Sequence, residues 1–140
     1  MSDTTGGRTA CQTWLAYNAA ENARDLAAMA ALVAAELRAT VNGRPAVSSA
    51  EDDAAAMDRL LCTYPDYRRE VVEVIDAGER GTVRWRMTGR PAPGSGVAPL
   101  DVAGCSVLTA RGGRIVEAHL YHDGTGLHEI VTAPPGEARR

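Results

Sequence analysis

Residues 67–89 read YRREVVEVIDAGERGTVRWRMTG. Val83, Trp85 and Met87 form one alternating row, and Arg84, Arg86 and Thr88 form the other. A period of two is the signature of a half-buried strand, because successive side chains leave opposite faces. Ala77–Arg80 interrupts the pattern, with Gly78 easing a reversal, so the stretch predicts two antiparallel strands and a tight turn. Downstream, GRPAPGSGVAP (89–99) is a loop rich in glycine and proline. LDVAGCSVLTARGGRIVEAHLYHD (100–123) then predicts a second hairpin, turning at Arg111, Gly112 and Gly113.

Upstream the period lengthens. TACQTWLAYNAAENA (9–23) places Cys11, Trp14, Leu15 and Asn18 at helical spacing, with Tyr17 on the flank. ARDLAAMAALVAAEL (23–37) predicts a second helix with Leu26, Met29, Leu32 and Val33 as its apolar stripe and Asp25 in its first turn. RATVNGRPAV (38–47) reads as a short strand or extended link. SSAEDDAAAMDRLLCTYP (48–65) predicts a third helix, started by Ser49 and Asp52 in an approximate capping box and stopped by Pro65. Its apolar face is Met57, Leu60 and Leu61. Helices first and an antiparallel meander afterwards predict an α+β fold, three helices packed on one face of a curved, mainly antiparallel sheet that encloses an apolar pocket.

A chain of 140 residues suits one domain spanning 1–140, with a core over about residues 8–131 and frayed polar ends. The net charge of −3 and the lack of a basic stripe argue against nucleic acid as a partner. No apolar run approaches the ~20 residues of a membrane span, and the start MSDTTGGRTA lacks the order of a signal peptide, so a cytoplasmic protein is expected. Cys11, Cys62 and Cys105 are too scattered for a zinc site or a disulfide framework and are expected as buried structural thiols. No nucleotide or metal motif occurs, so neither cofactor nor metal is predicted.

YNAAENARDLAAMAAL, TYPDYRREVVEVIDAGERGTVRWRMTGR and GGRIVEAHLYHDGTGL, in that order, resemble the SnoaL-like polyketide cyclase group of the NTF2-like superfamily. The resemblance rests on Tyr17 to Asp25, Pro65–Asp66, Arg84–Trp85, Gly113 to Glu117 and Asp123 to Leu127. It covers about residues 10–130 and implies a cone-shaped fold with an apolar interior. It also implies a homodimer formed through the convex sheet face, and inward positions at Ala118, Leu120 and His122. The activity implied is a cofactor-independent cyclase or isomerase acting on a hydrophobic polyketide-type intermediate, by aldol-type acid–base closure or by shape-directed cyclisation such as a cycloaddition. The alternative is a non-catalytic cone that binds a small apolar ligand or serves as a dimeric scaffold. An epoxide hydrolase fits less well, since the acids of its Asp–Arg–Asp set would fall at Arg86 and near Leu120. A ketosteroid isomerase fails similarly, its two acids falling near Thr40–Val41 and near Ser106.

Three residues are the catalytic candidates. Tyr17 would donate a hydrogen bond to a developing oxyanion, and His122, with Asp123, would move protons. Trp14, Met29, Leu61, Tyr64, Trp85, Met87, Ser106 and Leu120 are the candidates for the substrate-binding wall. Arg84 and Arg86 are expected to pair with carboxylates such as Glu70 or Asp101.

Overall fold

The computed structural model describes residues 7–123. Expectations beyond Asp123, including the frayed tail and the rest of the Asp123–Leu127 motif, lie outside the described residues. Within them the order is α1 (Ala10–Asn22), α2 (Leu26–Ala31), β1 (Val33–Val41), β2 (Arg44–Val47), α3 (Ala50–Thr63), β3 (Arg68–Ala77), β4 (Arg80–Gly89), β5 (Leu100–Arg111) and β6 (Arg114–His122). One open sheet has the strand order β2-β1-β6-β5-β4-β3. All neighbours are antiparallel except β1 and β6, which run parallel. The expected three helices on a mainly antiparallel sheet are present.

Each helix start has a local cause. Thr9 and Gln12 form a reciprocal capping box at α1. Asp25 accepts from the amide of Ala28 at α2. At α3 the Ser49 hydroxyl accepts from the amide of Asp52, whose carboxylate reaches back to the amide and hydroxyl of Ser48. Helix α1 lies across β3 to β6, and α3 covers β1 and β2.

The second helix is a correction. It ends at Ala31, and Val33 to Leu37 belong to β1 rather than to a helical stripe. The reason is a register shift in the β1–β6 pairing between Val33 and Arg38. Across it the alternation is broken, with Ala34 buried and Ala35 exposed, which leaves Val33 and Leu37 as buried residues four apart, a spacing a strand shares with a helix. The link that follows is a β-hairpin. Asn42 (φ 52°) and Gly43 (φ 84°) make the left-handed pair that a two-residue turn requires. The Asn42 side chain also accepts from the amide of His122 at 2.9 Å, tying the hairpin to the end of β6.

A second shift, between Thr109 and Ala110 opposite β6, changes the parity near the start of that strand. Ile115 is therefore buried, while Ala118 and Leu120 keep the expected inward side and Tyr121 is exposed. On β4 the row Val83, Trp85 and Met87 is buried as expected. Arg86 pairs with Asp101 at 2.8 Å, and Arg84 pairs with Glu73 at 2.6 Å rather than with Glu70. Of the three thiols only Cys11 is buried; Cys62 is exposed and Cys105 intermediate. Cys62 misses the core because α3 buries Ala56 and Leu60, and position 62 rotates away from that face.

Candidate functional site

Helix α1 carries an unusual inner face. Beside Cys11 and Trp14 it buries Thr13, Tyr17, Asn18 and Glu21, so polar side chains run down the side that meets the sheet. Asn18 and Glu21 share one partner, Arg69, the one buried residue of edge strand β3. Its Nε donates to Asn18 Oδ1 at 2.8 Å, and its Nη2 donates to Glu21 Oε1 at 2.5 Å. The guanidinium carbon sits 4.6 Å from the centre of the Trp14 ring and 5.6 Å from that of Trp85. Burial opposes the charge of Arg69, but Glu21 and the acidic groups around it outweigh that, and its pKa lies above the ordinary value. Glu21 Oε2 and the Tyr67 hydroxyl are buried without a hydrogen-bond partner.

This cluster forms one side of a cavity of about 70 Å³. Trp14, Tyr17 and Glu21 face it from α1, Asp53 and Met57 from α3, and Arg69 from β3. The opposite wall is apolar, built from Val33, Leu37 and Ala39 of β1 with Ile115, Ala118 and Leu120 of β6. Ser106 of β5 completes it and accepts a hydrogen bond from Trp85 Nε1 at 2.9 Å.

At the polar side the Tyr17 hydroxyl donates to Asp53 Oδ2 at 2.6 Å. Desolvation pushes the Asp53 carboxyl up to about 6; the bond from Tyr17 opposes the rise, Glu21 adds to it and Arg69 opposes it. Burial, with the charges of Asp53 and Glu21, holds the Tyr17 phenol well above its ordinary range. The site therefore pairs a carboxyl that changes charge near neutrality with a phenol that stays protonated. Such a pair can take a proton, return it, and donate a hydrogen bond to an oxygen.

Of the candidates read from the sequence, the cavity brings together Tyr17, Trp14, Ser106 and Leu120. Trp85, Met87 and Met29 are buried in the core. Tyr64 turns its hydroxyl to the carbonyl of Ala98 at 2.8 Å, tying the 90–99 loop to the end of α3. Leu61 packs on the edge of the core. None of these five is among the described residues that line the cavity. His122 is half-buried at the end of β6, where an added Cβ on Gly104 would meet both its Cβ and the Trp85 ring. Asp123 is exposed, and neither it nor His122 lines the cavity.

Asp53, Glu21 and Arg69 are the residues that pattern reading missed. Asp53 stands in Glu51-Asp52-Asp53, where acids at a helix start read as solvated partners of the dipole. The available signal was its place four residues before Met57 on the inward side. Arg69 hid in a charged run, Arg68-Arg69-Glu70. Among the described residues no group of three or more His, Cys, Asp or Glu could hold a metal ion, and no helix is long and apolar enough to cross a membrane.

An α+β sheet holding a cavity beneath its first helix, with α3 closing one side, is the NTF2-like fold. The solved structures agree. A candidate SnoaL-like polyketide cyclase from Jannaschia sp. CCS1 superposes with a TM-score of 0.73 at 22% identity, over 96% of this chain and 99% of that one. IdmH, a candidate polyketide cyclase from Streptomyces antibioticus, gives 0.71 at 20% identity, over 81% and 91%. An NTF2-like protein of unknown function from Cytophaga hutchinsonii gives 0.65 at 12% identity, over 87% and 93%. Residues 14–118 match the family model of the SnoaL-like domain, and the chain belongs to that family. No curated protein matches it significantly.

Proposed function

We propose that this protein is a cofactor-independent cyclase or isomerase acting on a hydrophobic polyketide-type intermediate of secondary metabolism, with Asp53 as the proton carrier and Tyr17 as the oxygen-facing donor. The observation that carries the reading is the 2.6 Å bond from Tyr17 to a carboxyl whose pKa is raised to about 6. A carboxylate in an apolar cavity is a stronger base than one in water, because less solvation must be given up.

In the proposed step Asp53 takes a proton from the carbon next to a substrate carbonyl. The C–H electron pair moves into the carbonyl, giving an enolate. Once protonated, Asp53 no longer needs the Tyr17 bond, and the phenol turns to the enolate oxygen. In ring closure the enolate carbon attacks a second carbonyl, forming a C–C bond, and the resulting alkoxide takes the proton back from Asp53. In isomerisation the proton returns to another carbon. A cavity of about 70 Å³ is well below the ~300–1,000 Å³ typical of whole-ligand pockets, so it encloses only the reacting end of such an intermediate.

His122 and Asp123 stay outside this proton path. The cases against an epoxide hydrolase and a ketosteroid isomerase stand on the strand positions named above, although Asp53 supplies from α3 a carboxylate those positions lack. The convex face suits the expected homodimer, since Ala103, Cys105 and Val107 leave a shallow stripe beside exposed Tyr121.

The test is deuterium exchange at the α-carbon of cyclohexanone in D2O, followed by proton NMR. Wild type should exceed buffer, and Tyr17→Phe and Asp53→Asn should lose the excess without losing ketone binding. Wild-type exchange at the buffer rate, with the ketone bound, would favour a binding protein.

A further inference from the structure

Arg69 resembles half of a structural ion pair, yet its bonding is incomplete. An arginine–carboxylate pair is frequently bidentate, two N–H groups meeting two oxygens. Here Glu21 receives one bond through Oε1, while Oε2 receives none, and Nε is diverted to Asn18. Arginine carries five N–H donors. Nη1 has no hydrogen-bond partner among the described residues, yet it is not among their sealed, unsatisfied atoms, and Arg69 lines the cavity. The side chain is only 5% exposed, so the cavity is where those donors can be met.

We propose that the Nη1 edge of Arg69 is an oxygen subsite, one that binds a planar, singly charged oxyanion of the enolate type and so selects ligands carrying a second carbonyl. The inference rests on the acid–base reading of Tyr17 and Asp53, which would act on the carbon between the two oxygens. Glu21 already balances the formal charge of Arg69, so the subsite favours delocalised charge over a compact dianion. The indoles of Trp14 and Trp85 beside the guanidinium exclude water and strengthen the contact.

The experiment compares pentane-2,4-dione with pentan-2-one, which share a chain length and differ in the second oxygen. Trp14 and Trp85 are the only tryptophans in the chain and both lie against Arg69, so intrinsic fluorescence reports binding at this place. Wild type should bind the dione at least tenfold more tightly. The ultraviolet band of its enolate should also appear at least one pH unit lower with protein than in buffer. Equal affinities, or an enolate titration that protein leaves unmoved, would overturn the proposal.

Arg69→Lys keeps the charge beside Glu21 and removes the planar edge, so it should abolish the preference. If that variant does not fold, the wild-type enolate titration decides alone. The two readings fail separately. Loss of cyclohexanone exchange with the dione preference intact refutes the Asp53 chemistry, and the reverse refutes only the Arg69 subsite.

Discussion

Asp53 sets two expectations that oppose each other. As the base it must be ionised, so turnover should rise with pH through about 6 and level off above it. Asp53→Asn should cost about 10²–10⁴ in rate. For stability the sign is reversed. The folded carboxyl holds its proton more tightly than the unfolded one, so its favourable contribution is complete below the unfolded pKa of 3.8 and is lost as pH rises through about 6. At pH 7–8 the buried charge costs on the order of 1–3 kcal/mol. Asp53→Asn should therefore be slower and more stable, with a higher melting temperature at pH 8 and little gain at pH 4. A variant that loses both activity and stability would mean that Asp53 holds the fold rather than the chemistry. Tyr17→Phe makes a companion prediction. The bond from Tyr17 lowers the Asp53 pKa, so its removal should move the acidic limb of the rate profile upward, besides slowing turnover by about 10²–10³. Tyr17 itself was legible from its spacing on the first helix. Its partner was not, because an acid in the first turn of a helix has a ready surface explanation, and only the packing of α3 over β1 and β2 brings Asp53 within reach of Tyr17.

At the scale of elements, the four strands of the two later hairpins were readable from their alternation, and the full length of β1 was not. Residues 80–89 pair with 100–109 in unbroken register, and their alternation, turn and buried row all follow from the letters. β1 does not alternate strictly, because Ala34 is buried and Ala35 exposed where its pairing with β6 is irregular, and that leaves Val33 and Leu37 at a spacing shared by strand and helix. Its Asn42-Gly43 turn did carry a strong local signal, which an extended reading of 38–47 passed over. The β4–β5–β6 layer has a close contact that tests this part of the fold. Gly104 lies opposite both Trp85 and His122, and an added Cβ would stand 2.6 Å from the Trp85 ring and 2.5 Å from the carbonyl oxygen of Tyr121. The backbone oxygen cannot move without breaking the ladder. Gly104→Ala should cost about 1–3 kcal/mol in a urea titration. It should also displace Trp85 from Ser106, seen as a changed near-ultraviolet circular dichroism. An unchanged midpoint would mean that the two strands are further apart than described.

Across the whole molecule, the apolar core would be expected to hold the helices to the sheet, yet the contact between α1 and β3 is largely ionic and hydrogen-bonded. Arg69 bonds Asn18 and Glu21 through its side chain, while Asn18 and Asn22 bond its backbone. The rest of β3 is exposed, including Val72 and Ile75, so little apolar burial secures this edge of the sheet. Removing one partner of a buried pair leaves the other charge uncompensated, which typically costs about 3–5 kcal/mol, far more than losing the pair as a unit. Glu21→Ala should therefore be among the most damaging single substitutions in the chain, with β3 amides exchanging hydrogen faster than those of β5. The Arg86–Asp101 pair has a similar N–O distance, 2.8 Å, but lies half-exposed on the outer face, so Asp101→Ala should leave the urea midpoint unmoved. The double variant Glu21→Gln/Arg69→Met removes both charges together and should recover much of the loss. Recovery of the fold without recovery of dione binding would separate what the pair does for the architecture from what Arg69 does for a ligand. If Glu21→Ala is no worse than Asp101→Ala, the α1–β3 contact is held by packing, and the polar wall of the cavity has no structural reason to exist.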